Sequence, residues 1–350
     1  MELLYELSGE NETLPRAELE AVLESGGFDG REILSDGRVL VLSVAAKQGR
    51  EEAGGAAVAR LLSSRLSLTH NISHYLGCVL LEDGTDPLCR IADFCRDAAV
   101  PAGAFRVTAV RIGDKVPGIN RMDVERVAGM NVPSKNIDLK NPDSELLVLL
   151  NGRMAYFGTL LEKVNRAQYE ARKVEYRPFF SPVSLHPRVA RALVNLANVR
   201  SGDTLLDPFC GTGGILLEAG LIGLSVAGSD IDKKMVDGCE LTLSHYEIPD
   251  FTLSVCDIGD AHRVFGKVDA VVTDLPYGQA STTMGEKRTA LYRRAFRSIM
   301  RCLKKGGYAV VGANSIEPLR RSVRGMNLLS VHACYVHRSM TRYFAVYKKR

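Results

Sequence analysis

Through the first 163 residues, runs of alternating apolar and polar positions are interleaved with stretches of helical spacing. "ELLYELSGE" reads as a strand. "LPRAELEAVLESGG" reads as a helix with Pro15 near its start and glycines beyond its end. "REILSDGRVLVLSV" holds two strands joined at Asp36-Gly37, a hairpin signal. "EEAGGAAVARLLSSR" fits a second helix and "LSLTHNISHYLGCVLL" another strand. The order is β-α-β-β-α-β, a ferredoxin-like α+β unit over residues 1–82. A second block follows over 83–163. It has helical spacing at Leu88, Ile91, Ala92 and Cys95, an alternating "AFRVTAVRIG", a short helix in "RMDVERVAGMNV", and strands with turns at Asn141-Pro142 and Asn151-Gly152.

Residues 164–178 are basic, polar and aromatic and read as a linker. Beyond them the pattern changes. Over 179–350 helical and strand-like segments alternate to the end, which predicts a mainly parallel α/β sheet. Leu291, Ala295, Ile299 and Leu303 form one apolar helical stripe, and Lys304-Lys305-Gly306-Gly307 is expected to end that helix and turn into a strand. The arginines opposite the stripe suit either phosphate contact or a solvated face.

Charge sharpens this division. Residues 1–100 hold 9 Lys+Arg against 17 Asp+Glu, residues 151–200 hold 9 against 3, and residues 301–350 hold 11 against 1. A net charge of +4 therefore conceals basic character concentrated after the first hundred residues, which suits a polyanion such as RNA or DNA. A solvated basic surface is the alternative. The 8 cysteines include no C-x-x-C pair, so buried thiols are expected rather than a zinc ribbon, and no metal site is expected. His70 and His74 sit four apart in a strand, which is poor geometry for a metal pair. No apolar run approaches membrane-spanning length, and the expected compartment is the cytoplasm, with a monomer as the default state.

Candidate chemistry sits at strand ends in the last 172 residues. "DTLLDPFCGTGGILLEAGLIGLSVAGSDID" reads as strand, turn, helix, strand. Asp207 closes the first strand, Gly211 and Gly213 permit a tight turn, and Asp230 ends the second strand, where a carboxylate can accept from ribose hydroxyls. A dinucleotide loop wants a third glycine that is absent here. The acidic D-P-F-C-G-T-G-G loop better suits S-adenosylmethionine, whose ammonium and sulfonium are cationic. Asp257 follows a third strand and is placed for an adenine amino group; alternatively, it or Asp260 caps the next helix. "VVTDLPYGQ" then brings Asp274 to the sheet edge. An exocyclic amine on a nucleobase is a poor nucleophile because its lone pair is delocalised. The Asp274 carboxylate and the carbonyl of Leu275 or Pro276 can accept its two N–H groups, and Tyr277 can stack on an extruded base. Such a site needs no covalent nucleophile, so Cys210 and Cys256 are expected to be core thiols.

These residues, together with "FRVTAVRIGDK", "RPFFSPVSLHPRVARALVNLA" and the C-terminal "HRSMTRYFAVYKK", resemble the THUMP-containing class I RNA methyltransferases over nearly the whole chain, and most of all the archaeal tRNA guanosine-10 N2 enzymes. The resemblance implies a Rossmann-like catalytic domain over 179–350, preceded by ferredoxin-like and THUMP domains that dock tRNA. It implies S-adenosylmethionine binding by Asp207, Gly211, Gly213, Asp230 and Asp257, and engagement of guanine by Asp274, Pro276 and Tyr277. Many relatives carry D-P-P-Y where this chain has Leu275, which leaves amino-group methylation intact but keeps open another tRNA or rRNA guanosine, or adenine N6. An inactive RNA-binding protein is a further alternative, against which the intact Asp207, Gly213, Asp230 and Asp274 set argues.

Overall fold

The computed structural model describes residues 1–49, 53–81, 84–99, 103–115, 119–133, 136–181, 184–276, 287–320, 324–337 and 340–350. The expected boundary at 82/83 and Tyr277 lie outside these described residues. Two compact units form. One comprises residues 1–9, 27–64 and 69–164, the other residues 10–26, 65–68 and 165–350.

Chain order through the first part is β1 (Glu2–Leu7), α1 (Leu14–Ser25), β2 (Phe28–Asp36), β3 (Val39–Ala46), α2 (Gly55–Arg65), β4 (Thr69–Leu80), α3 (Pro87–Asp97), β5 (Phe105–Arg111), α4 (Arg121–Asn131), β6 (Ser144–Asn151) and β7 (Met154–Lys163). Pro15 enters α1 in its first turn and Gly26 caps its end, as the sequence predicts. The β2–β3 hairpin closes at Asp36↔Val39, with Gly37 at a φ of 57° in the left-handed region that a two-residue turn requires. The seven strands make one sheet in the order β2-β3-β1-β4-β7-β6-β5. Every neighbouring pair is antiparallel except β5 and β6. Phe105, Leu146, Val148 and Phe157 lie under α3 and α4 in one core, where Ile91, Cys95, Val124 and Ala128 meet them.

The second part runs α5 (Ala167–Glu170), α6 (Pro187–Leu196), β8 (Thr204–Asp207), α7 (Gly214–Gly220), β9 (Ser225–Asp230), α8 (Lys233–His245), β10 (Phe251–Val255), α9 (Ala261–Val264), β11 (Val268–Asp274), α10 (Arg288–Cys302), β12 (Leu303–Ala313), α11 (Glu317–Arg320), β13 (Met326–His337) and β14 (Met340–Lys349). Its sheet has the order β10-β9-β8-β11-β12-β14-β13. The first five strands are parallel, and β14 runs antiparallel to both β12 and β13. Strand order reverses between β8 and β11, and in such sheets the crevice at the strands' carboxyl ends there is the place for a ligand.

Three features depart from or extend the sequence reading. α10 ends at Cys302, so Leu303 of the expected helical stripe is buried as the first residue of β12. Lys304–Gly307 does not end the helix. It bulges within β12, where the register jumps from Val268↔Leu303 to Ala270↔Tyr308 with Gly306 at a φ of 78°. Within the stretch read as a linker, Tyr169 is fully buried and Arg172 forms two hydrogen bonds with the buried Glu218, at 2.8 and 3.1 Å. The second unit also includes α1 and residues 65–68. Buried Glu18 of α1 accepts hydrogen bonds from the Ser67 N–H at 3.0 Å, the Ser67 hydroxyl at 2.7 Å, the Leu68 N–H at 2.9 Å and the Asn195 amide at 2.9 Å.

Candidate active site at the carboxyl ends of the parallel strands

The second sheet delivers four carboxylates to one edge because four of its five parallel strands end on, or just before, an acid. Asp207, Asp230 and Asp274 are the last residues of β8, β9 and β11, and Asp257 lies two residues beyond β10. The two strands at the switch point are joined directly. The Thr273 hydroxyl donates to Asp207 Oδ1 at 2.6 Å, and the Phe209 N–H donates to the same oxygen at 3.1 Å. Asp207 is only 2% exposed. Burial pushes its carboxyl up to about 7, opposed by those two hydrogen bonds and reinforced by the charges of Asp230 and Asp274.

The loop after β8 wraps around Asp230. Its Oδ2 accepts from the Gly211 N–H at 3.2 Å and its Oδ1 from the Asp232 N–H at 3.0 Å, while burial raises its pKa. Gly211 and Gly213 have φ of 51° and 80°, where L side chains are strained. Their surroundings differ. A Cβ at Gly211 would meet nothing within 4 Å, whereas one at Gly213 would lie 2.6 Å from Cys239 Sγ. Gly213 therefore lets the loop close onto α8, and Gly211 leaves an open backbone. Cys210 and Cys239 are buried, and Cys210 is pushed well above the ordinary thiol value, first by its hydrogen bond with Cys239 and then by burial. It is not a nucleophile at neutral pH. Cys256 is also raised by burial.

Asp257 is held from two sides. The Arg294 guanidinium of α10 binds both its oxygens, one at 3.2 Å, and the Gly259 N–H donates to Oδ1 at 2.8 Å. Burial alone would raise its pKa, but these partners outweigh it and hold the carboxyl below the usual range. Asp260 stands at the cap position of α9 without a side-chain capping bond.

Asp274 pairs with Gly312 of β12 across the parallel ladder. A Cβ on Gly312 would overlap Asp274 Oδ1, so the glycine makes room for that carboxylate. Arg342 of β14 is buried with Nη1 3.7 Å from Asp274 Oδ2. Leu275 is buried, and its N–H donates to the Gly312 carbonyl at 2.9 Å. The Pro276 carbonyl accepts from the Tyr292 hydroxyl of α10 at 3.1 Å. Gly312, Tyr292, Arg294 and Arg342 were not legible as site residues. Each reaches the site from a different element than the residue it contacts, and nothing in its own stretch of sequence marks its contact with the site. Among the described residues no group of His, Cys, Asp or Glu is arranged to hold a metal ion, and no helix is long and apolar enough to cross a membrane.

Comparison with known proteins adds to this geometry. The family model UPF0020, RMKL-like, methyltransferase domain, matches residues 174–343. The tRNA (guanine(10)-N2)-dimethyltransferase of Methanothermobacter thermautotrophicus is 34% identical over 356 residues, covering 100% of both chains. The enzyme of the same name from Methanocaldococcus jannaschii is 29% identical, covering 99% of both. Among solved structures, that of TrmN from Thermus thermophilus superposes with a TM-score of 0.56 at 24% identity over 100% of both chains, a likeness of fold.

Proposed function

The chain belongs to the family of the archaeal tRNA (guanine(10)-N2)-dimethyltransferases, and we propose that it methylates the exocyclic N2 of a guanosine in tRNA, namely guanosine 10, giving N2-methyl- and then N2,N2-dimethylguanosine with S-adenosylmethionine as donor. The observation that carries this reading is the joining of two strand ends at the switch point. Thr273 links Asp207, behind the glycine loop, to the strand that ends in Asp274.

The loop suits a cationic cofactor. Its backbone is open at Gly211, and burial penalises the ionised forms of Asp207 and Asp230, a penalty that an approaching positive charge relieves. In this reading Asp207, Gly211 and Gly213 form the floor of the cofactor site. Asp230 accepts from the ribose hydroxyls, and Asp257, oriented by Arg294, accepts from the adenine amino group. When bound, the cofactor supplies a methyl group activated by its sulfonium.

Asp274 accepts a hydrogen bond from one N–H of the guanine amino group, which localises the nitrogen lone pair for attack. The Leu275 or Pro276 carbonyl takes the second N–H. The Pro276 carbonyl accepts from the Tyr292 hydroxyl and keeps a second lone pair for the same amine, and the proline ring stiffens the turn. The nitrogen turns acidic on methylation, and Asp274 receives its proton directly or through water. Tyr277 stacks on the base. Residues 1–82 and 83–163 act as ferredoxin-like and THUMP domains that dock the tRNA, with 164–178 leading into the catalytic domain at 179–350. Support for the first of these is the run of neighbouring antiparallel strands β2-β3-β1-β4.

The test is transfer of labelled methyl to unmodified tRNA followed by mapping of the labelled nucleotide. Label on N2 of guanosine 10 is expected, with two methyls at completion. Label on adenine N6 or on another guanosine would reassign the substrate, and no label despite tRNA binding would overturn the enzyme reading. The Asp274→Ala variant should lose roughly 10²–10³-fold or more in turnover while keeping cofactor and tRNA affinity. Wild-type turnover in that variant would remove Asp274 from the chemistry.

A further inference from the structure

α10 has two working faces. Leu291, Ala295 and Ile299 bury one in the core. The other borders a cleft of about 730 Å³ whose lining includes Arg288, Arg293 and Arg297 of α10 and Arg324, against a single acid, Glu317. None of these four arginines has an ion-pair or hydrogen-bond partner among the described residues. Arg294, on the same helix, is committed to Asp257, and the exposed Arg263 is paired with Asp260 at 2.9 Å. Four like charges left unpaired around one concavity repel one another, so the cleft favours an anion of several charges.

The cleft shares elements with the carboxylate that the proposed chemistry uses. Tyr292 contributes to its wall and donates to the Pro276 carbonyl. Asn314 and Ser315 line it and directly follow β12, whose Gly312 pairs with Asp274. Phe296 and Met300 add an apolar floor. Guanidinium groups around an apolar floor suit a nucleic-acid strand, with phosphates at the rim and a sugar or base face below. An enzyme that takes a base out of its stack must also hold the backbone on either side of it.

We propose that this cleft grips the phosphodiester backbone of the RNA strand immediately beside the base presented to Asp274, with Arg293 and Arg297 as phosphate contacts. The proposal rests on the methyltransferase reading of the same edge of the sheet, and its test keeps the two apart. Binding of unmodified tRNA is measured as a function of salt for the wild-type protein, for the double variant Arg293→Gln/Arg297→Gln, and for the control Arg301→Gln, an exposed arginine of α10 that does not line the cleft. Loss of two phosphate contacts should lower the slope of log K against log salt by about 1.4–1.8. It should also raise KM for tRNA about tenfold or more and leave cofactor affinity unchanged. The control should behave as wild type.

A wild-type slope in the double variant, or an equal loss in the control, would overturn the proposal. So would tighter binding of a free nucleoside triphosphate than of a short single-stranded RNA, since the cleft would then be a small-anion site. The binding results stand whether or not methyl is transferred. Binding that follows the cleft residues with no transfer by the wild-type protein would overturn the function and leave the cleft assignment in place.

Discussion

Asp207 is buried behind its loop with a carboxyl pushed up to about 7 and two anionic neighbours, Asp230 and Asp274. A carboxyl raised in the folded state favours folding fully below its unfolded pKa, near 4, and that contribution is lost as pH rises through about 7. The cofactor-free protein should therefore melt at a lower temperature at pH 8 than at pH 5.5. A cationic cofactor favours the ionised form, so its affinity should rise several-fold from pH 6 to pH 8 and its binding should release a proton near pH 7. Calorimetry in buffers of different ionisation enthalpy checks both. In Asp207→Asn the pH dependence of cofactor affinity should flatten, and an unchanged profile would assign it to another group. The acids at strand ends were legible because a buried strand read from sequence fixes where its last residue lies. Gly312 and Arg342 were not, since their relation to Asp274 exists only once β12 and β14 have paired around it.

At the scale of elements, the parallel part of the second sheet was readable from its apolar runs and from the alternation of strands and helices. Two features were set by tertiary contact rather than by local sequence. Lys304–Gly307 looked like a helix stop because Gly-Gly favours a turn, but the pairing of Val268 with Leu303 draws the chain into β12 before that turn is made. The arginines of α10 looked alike, yet tertiary contact divides them: Arg294 orients Asp257, and Arg293 and Arg297 remain at the cleft. α1 gave its boundaries correctly, but its packing was not legible, because the partners of Glu18 lie 49 to 177 residues away. Replacing Glu18 with Ala strands the Ser67 and Leu68 backbone N–H groups and one amide N–H of Asn195 in a buried site, while the Ser67 hydroxyl keeps the Arg188 carbonyl. At about 1–3 kcal/mol for each orphaned donor, even partial relaxation should leave a loss of at least about 2 kcal/mol. Chemical denaturation should show that loss as a lower midpoint with an unchanged slope. A midpoint within error of wild type would show that water replaces the carboxylate.

For the whole molecule, sequence order and spatial grouping differ. Reading along the chain suggests a catalytic domain at 179–350 after a linker over 164–178, yet the second unit runs from residue 165 and takes in residues 10–26 and 65–68 as well. Asn195, fully buried on α6, spends its amide on Glu18 and the Arg65 carbonyl and its Oδ1 on the Arg65 guanidinium. A fragment comprising residues 164–350 lacks all of these partners. Its thermal transition, followed by circular dichroism, should be broader and lower by several degrees than the transition of the same unit in the full chain. A fragment that melts as sharply and at the same temperature would show those contacts to be dispensable.

The placement of α1 also sets an order of events during synthesis. About 160 residues separate the end of α1 at Ser25 from the start of α6 at Pro187. At roughly 5–20 residues per second, Glu18 emerges from the ribosome some 10–30 s before Asn195 does. During that interval Glu18 can meet Ser67 and Leu68, but α6 and the Asn195 amide are still missing. The first unit differs, because all of its chain has been made by residue 164. The nascent enzyme therefore keeps an early segment in reserve, and its late-made half completes its packing by recovering a helix made near the beginning.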